Sequence, residues 1–163
     1  MSDILRLFLA LILLTTGLSA YFLVLNALFP QRVAKAVSNI QSMPARAFGI
    51  GLVNFIFFAV IAGVLLSVAE NAGPFIKGIL TIPAIAILAF LTIVLSLGLA
   101  GMSGLIGARS FPDASGWKQT LWGTICLAFA SALPFVGWFL LLPYVSFVGI
   151  GSVILGFFQR EKT

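Results

Sequence analysis

Asp3, Glu70, Asp113 and Glu161 are the only carboxylates in the chain, Cys126 is its only thiol, and histidine is absent. General acid–base chemistry needs titratable groups converging on one substrate atom, and a Ser or Cys nucleophile needs a base within hydrogen-bond reach. No Ser/His/Asp set, metal-ligand cluster, phosphate-cradling glycine loop before a strand or pair of intramembrane carboxylates can be assembled from this inventory. The residues therefore predict a non-enzyme and name no cofactor. Cys126 lies inside an apolar run and reads as a small buried apolar residue.

What remains is chemistry of contact. Gly98, Gly101, Gly104 and Gly107 recur at every third position, with Ser96, Ala100 and Ser103 between them, and a similar set follows in Gly149, Ser152 and Gly156. Glycine removes side-chain bulk, so a neighbouring helix approaches closely and gains dispersion contacts that lipid cannot match. Two partners fit such a stripe: another helix of the same chain, or a helix of a partner subunit. Asn54 is the one strongly polar side chain deep in an apolar segment, since Asn26 falls near the end of the first. An amide in hydrocarbon needs a partner, which makes Asn54 a candidate clamp between helices, worth about 0.6–2 kcal/mol, or a contact for a substrate or pigment. The sixteen phenylalanines, Phe55, Phe57 and Phe58 among them, suit lipid-facing or core positions. An aromatic surface also accepts a quinone, carotenoid or chlorin ring, although histidine, the commonest axial ligand, is missing.

The elements that must carry these residues follow from hydropathy. The chain of 163 residues is 61% hydrophobic, with a mean hydropathy of +1.21. Its four acidic and nine basic residues all fall outside the long apolar runs or at their edges, as Arg6 does. About 20 apolar residues at 1.5 Å each cross the ~30 Å hydrocarbon core, and four such stretches are visible. The first runs over about 4–29 and stops at Pro30. It is too long for the apolar region of a signal peptide and reads as a retained span. Residues 31–43 are more polar. Val33, Val37 and Ile40 share one helical face and Arg32, Lys35, Ser38 and Asn39 fall largely elsewhere, the pattern of a short amphipathic helix in the interface. Residues 47–69 form a second span, and Glu70 to Pro74 a turn. The third, 75–108, exceeds one bilayer thickness, so it must tilt, or start in the interface with a break near Pro83. The last stretch, 119–158, divides at Pro134–Gly137 into a hairpin of helices 119–133 and 137–158, the first too short for an untilted crossing. The expected fold is an all-α integral membrane bundle of four to five transmembrane helices, forming one polytopic domain over 1–163.

Basic residues orient it. With five passes, Arg32, Lys35, Arg46, Arg109, Lys118, Arg160 and Lys162 share one side and Arg6 and Lys77 the other, seven against two. The positive-inside rule then puts the N-terminus outside and the C-terminus in the cytoplasm. Basic residues scattered singly between spans suit lipid headgroups, and nucleic acid is not an expected partner.

Phe29-Pro30-Gln31-Arg32, Met43-Pro44-Ala45-Arg46-Ala47-Phe48-Gly49-Ile50-Gly51, and the ending Leu133-Pro134-Phe135-Val136-Gly137-Trp138 with Gly149-Ile150-Gly151 together resemble the polytopic membrane module that accompanies bactofilin-like, polymer-forming domains in bacterial proteins. The resemblance covers most of the chain after the first span, and its motifs are prolines, glycines and apolar residues. The repetitive β-rich polymerising domain is not part of this sequence. The resemblance implies a bacterial inner-membrane anchor or assembly partner and carries no catalytic role.

The expected function is thus a non-catalytic integral subunit that scaffolds or stabilises a larger membrane assembly, with membrane lipids and other integral subunits as partners. Two other classes stay open. One is an accessory protein that contacts lipid, quinone or pigment in an electron-transfer or photosynthetic complex. The other is a small channel or transporter for a neutral solute, which needs a polar pathway or inverted repeats that the sequence does not display.

Overall fold

A computed structural model of the chain describes residues 2–133 and 135–158, with backbone alone at residues 2–4 and 7. Six α-helices account for nearly all of it, and no strand occurs among the described residues: α1 Ser2–Leu28, α2 Pro30–Ser42, α3 Pro44–Glu70, α4 Pro74–Ser110, α5 Gly116–Ala132 and α6 Leu142–Phe158. A π-helical turn, Val136–Leu141, leads into α6. Pro134, expected at the hairpin apex, lies outside the described residues, as do Arg160, Glu161 and Lys162.

Proline sets the first breaks. Pro30, Pro44 and Pro74 each open a helix, where the missing N–H costs nothing and the fixed φ already suits the first turn. Proline also drives its predecessor out of the α region. Phe29 (φ −128°, ψ 52°) and Met43 (φ −142°, ψ 58°) accordingly form one-residue joints between α1, α2 and α3. Pro83 behaves differently. α4 runs unbroken through it for 37 residues, about 55 Å at 1.5 Å per residue. Only the bond to the Ile79 carbonyl is lost there, and Ala84, fully buried beside it, keeps the helix packed.

Four helical stretches are long and apolar enough to cross a membrane: Phe8–Leu28, Pro44–Glu70, Pro74–Ser110 and Val136–Phe158. The chain has the build of an integral membrane protein. The 17 residues of α5 reach only about 26 Å, just under the ~30 Å hydrocarbon core. The amphipathic helix is present as α2, but its inner face lies against protein: Val33, Ala36, Asn39 and Ile40 are buried, packed on α4 and α6.

Two apolar clusters hold the bundle. Phe22, Val33, Val94, Leu97, Ile150 and Val153 belong to one, and Ile40, Met102, Leu105, Leu127, Val145 and Val148 to the other. α4 and α6 supply residues to both.

Connectivity gathers five of the seven described basic residues. α2, the start of α3, the end of α4 and the start of α5 all lie at one end of the bundle. The Arg32 guanidinium stands 4.4 Å from the centre of the Phe157 ring, which brings the end of α6 there too. Arg32, Lys35, Arg46, Arg109 and Lys118 thus share this end, and Glu70 and Lys77 flank the α3–α4 turn at the opposite one.

Candidate helix-packing site

A glycine every third residue does not make one face. Successive residues of an α-helix turn by about 100°, so each step of three falls about 60° short of a full circle, and Gly98 and Gly107 point about 180° apart. The stripe winds around α4 and meets α6, then α2, then α5 at its last two steps. At Gly98 the backbone of α4 lies against that of α6 at Gly149, so closely that a Cβ on Gly98 would overlap it. Gly101 faces α2, where a Cβ would sit 3.5 Å from Ala36 Cβ and 3.6 Å from Val37 Cγ2, ordinary contact distances. Gly104 turns toward α5, with 3.9 Å to Thr120 Oγ1. Gly107 closes on the carbonyl of Gln119, again with no room for a Cβ. Gly98 and Gly107 are therefore required by space, whereas Gly101 and Gly104 are not.

α6 repeats this arrangement. Gly149 faces α4, and Gly151 meets the Ala47 carbonyl of α3, where Gly51 reciprocally meets the Phe147 carbonyl. Gly123 of α5 lies on the Ser103 carbonyl in the same way. Ala47 with Gly51, and Ser103 with Gly107, are small residues four apart, the spacing that keeps both on one helix face. That four-residue interval is the sequence signal for Gly51, whereas Gly123 and Gly151 have large residues four positions to either side and carry no such signal. Gly156 lies under α2, where a Cβ would be 3.6 Å from Asn39 Nδ2 and 3.7 Å from Lys35 Cβ.

The polar clamp comes from α2. Asn39 is 2% exposed, and its Nδ2 donates at 3.0 Å to the backbone carbonyl of Ser152 on α6. The Ser152 hydroxyl donates to its own helix at Gly149 O, 2.8 Å. The Asn54 amide also stays at home: half-buried, it donates at 2.8 Å to Ile50 O one turn back on α3. Sequence alone favoured Asn54 because it sits among apolar neighbours. Asn39 sits in a polar segment, and only the docking of α2 onto α6 turns it inward.

Two further buried hydroxyls serve the backbone as well. Ser103 bonds Ala100 O at 2.9 Å and Thr124 bonds Thr120 O at 2.7 Å. Gln119 Nε2 spans the α4–α5 loop, reaching Phe111 O and Pro112 O at 3.3 Å each. Aromatic rings support the α3–α6 crossing, with Phe48 stacked on Tyr144 and edge-on to Phe147. These groups are arranged to bring helices together at close range and to hold them with few polar contacts.

Comparison with protein-family models, with curated proteins and with solved structures returns no match to this chain.

Proposed function

We propose that this protein is a non-catalytic integral membrane subunit, set in a bacterial inner membrane with its N-terminus outside and C-terminus in the cytoplasm, that scaffolds a larger assembly. The supporting observation is how its interior polar groups are used. Asn39, Ser103, Thr120, Thr124 and Ser152 are all buried, and each donates to a backbone carbonyl of the bundle. A solute path or a proton relay would instead aim such groups at a lumen. Here Asn39 ties α2 to α6 and the four hydroxyls bond within their own helices. The shared end of Arg32, Lys35, Arg46, Arg109 and Lys118 supports the orientation through the positive-inside rule. The resemblance to the membrane module that accompanies bactofilin-like domains fits the same reading of an anchor or assembly partner.

Purification in mild detergent, followed by mass spectrometry of whatever integral subunits travel with the chain, tests the scaffold. A stoichiometric partner is the expected outcome. The bundle reconstituted alone in liposomes should add nothing to ion or proton flux, and saturable flux lost on changing Asn54 or Glu70 would replace the scaffold with a transporter. Single cysteines at Ser2 and Thr163 in a Cys126→Ala background test orientation. Labelling of position 163 by an impermeant reagent from outside overturns it.

A further inference from the structure

α5 and the π-helical turn Val136–Leu141 meet in a tip that stops short of the neighbouring helix ends. Register shows this twice. Gly51 lies on the Phe147 carbonyl and Gly151 on the Ala47 carbonyl, which fixes α3 and α6 as antiparallel. Val136 stands eleven residues before Phe147, so even at full α-helical rise it is level with Ala62 on α3. Glu70 lies eight residues, about 12 Å, beyond that level. α4 and α6 run the same way and touch at Gly98 and Gly149. Counted back thirteen residues from each, Val136 is level with Ile85, and Pro74 lies eleven residues, about 16 Å, further out. Packing agrees. Phe135, Val136, Trp138, Phe139 and Leu140 are each more than half exposed, and no α4 residue between Pro74 and Pro83 is buried.

Two requirements then conflict. Phe75, Ile76, Ile79 and Ile82 are exposed on α4, so that stretch needs hydrocarbon around it. Arg46 and Glu70 stand twenty-four residues apart on α3, about 36 Å, which takes in the ~30 Å core. α3 and α4 therefore set the membrane boundary near Glu70 and Lys77 and leave the tip roughly 10 Å inside it. Yet the backbone of the tip is irregular. Phe135 holds φ 67°, the last turn of α5 runs out of helical donors, and Pro134 has no N–H to supply one. Such backbone is not stable against lipid tails and needs protein or water beside it. Its exposure shows that protein leaves it open.

We propose that α5 and α6 form a re-entrant hairpin whose tip is met by phospholipid headgroups and their water, drawn down into the leaflet on the side of the α3–α4 turn. Trp138 suits that displaced boundary, because its ring is apolar while its indole N–H donates to a phosphate or ester oxygen. The bilayer is thinned beside α5 and α6 alone, at a modest cost per Å, and keeps its full thickness around α3 and α4. Both arms of the hairpin still return to the basic end, so the orientation proposed above does not depend on this, and neither does the scaffold reading.

The test places a nitroxide on the intact chain in phospholipid liposomes, at Val136→Cys or Ile82→Cys in a Cys126→Ala background. Both positions are exposed, so the labels add no buried volume. Ile82 lies three residues nearer to Pro74 than the level of the tip and faces away from Ala84, so in an unthinned bilayer it is the wetter of the two. Power saturation with a water-soluble nickel chelate should instead find Val136 more accessible than Ile82 by about fivefold or more, since the chelate is excluded from hydrocarbon. The label at Val136 should also speed relaxation of the lipid phosphorus nuclei more than the label at Ile82. High nickel access at both positions would overturn the proposal, because the bundle would then be tilted until the tip met an ordinary boundary. Low access at Val136 would overturn it too, leaving the tip in dry surroundings. Nickel access at Val136 without faster phosphorus relaxation would replace the headgroups with a water-filled cleft.

Discussion

The two halves of α4 are both apolar and have different surroundings. Toward its end, Leu91, Val94, Leu97, Gly98, Ala100, Gly101, Met102, Ser103, Leu105 and Gly107 are buried among α2, α5 and α6. Toward its start, Phe75, Ile76, Ile79, Ile82 and Ile85 are exposed, and Ala84 is the only buried residue of that stretch. Hydrophobicity does not separate these halves; residue size does. Lipid tails are as apolar as Ile or Phe, so burying a large side chain against protein gains little in a bilayer. Small residues gain backbone contact that lipid cannot supply. The same rule covers α3, where Ala47, Gly51, Ala62 and Ala69 are the buried positions.

The largest effect should come from adding volume where backbones touch. Gly51→Leu or Gly107→Leu would drive a side chain into the Phe147 or Gln119 carbonyl, and neither variant should yield a folded bundle on size-exclusion in detergent. Even Gly51→Ala should cost about 3 kcal/mol or more, above the usual range for overpacking because the obstacle is main chain. A wild-type melting temperature for Gly51→Ala would refute the crossing.

Gly101 sharpens the comparison within one stripe. Gly101→Ala should be nearly neutral, since its Cβ would meet Ala36 and Val37 at ordinary distances. Gly101→Leu should cost about 1–3 kcal/mol by overpacking α2. Chemical unfolding in mixed micelles separates the two.

The amides make a third pair. Asn39→Leu removes the bond to Ser152 O and should cost about 0.6–2 kcal/mol. Asn54→Leu loses a bond within one helix and should cost less. A reversal of that order would show that α2 is not docked on α6. Smallest of all, Ile82→Ala, on a side chain 72% exposed, should change stability by less than about 0.5 kcal/mol. A large loss there would reveal a protein surface covering the start of α4.

The fold was legible because each helix boundary is written in a local residue. Pro30, Pro44 and Pro74 mark starts, Asn71 and Gly73 mark a turn, and the apolar runs between them are longer than any alternative element. α2 was legible as a helix, but its docking was not, because amphipathicity states which face is apolar and not whether lipid or protein covers it. Contact partners were partly legible. The small residues could be found from composition, yet which of them are indispensable depends on angle. Gly98 and Gly101 differ by one step in a repeat and occupy different interfaces. At Pro83 the sequence allowed a tilted helix or a break, and α4 runs through it unbroken.

The Asn39–Ser152 bond joins positions 113 residues apart, and this has a consequence in time. During synthesis α2 emerges long before α6, by about 6–23 s at 5–20 residues per second. Through that interval the Asn39 amide has no carbonyl to meet, and a helix rich in Arg32, Lys35, Ser38 and Asn39 is best kept at the water boundary. The last helix to be made is therefore the one that draws α2 inward, so a nascent chain stopped before Ser152 should leave α2 open to protease, and completion of α6 should close it.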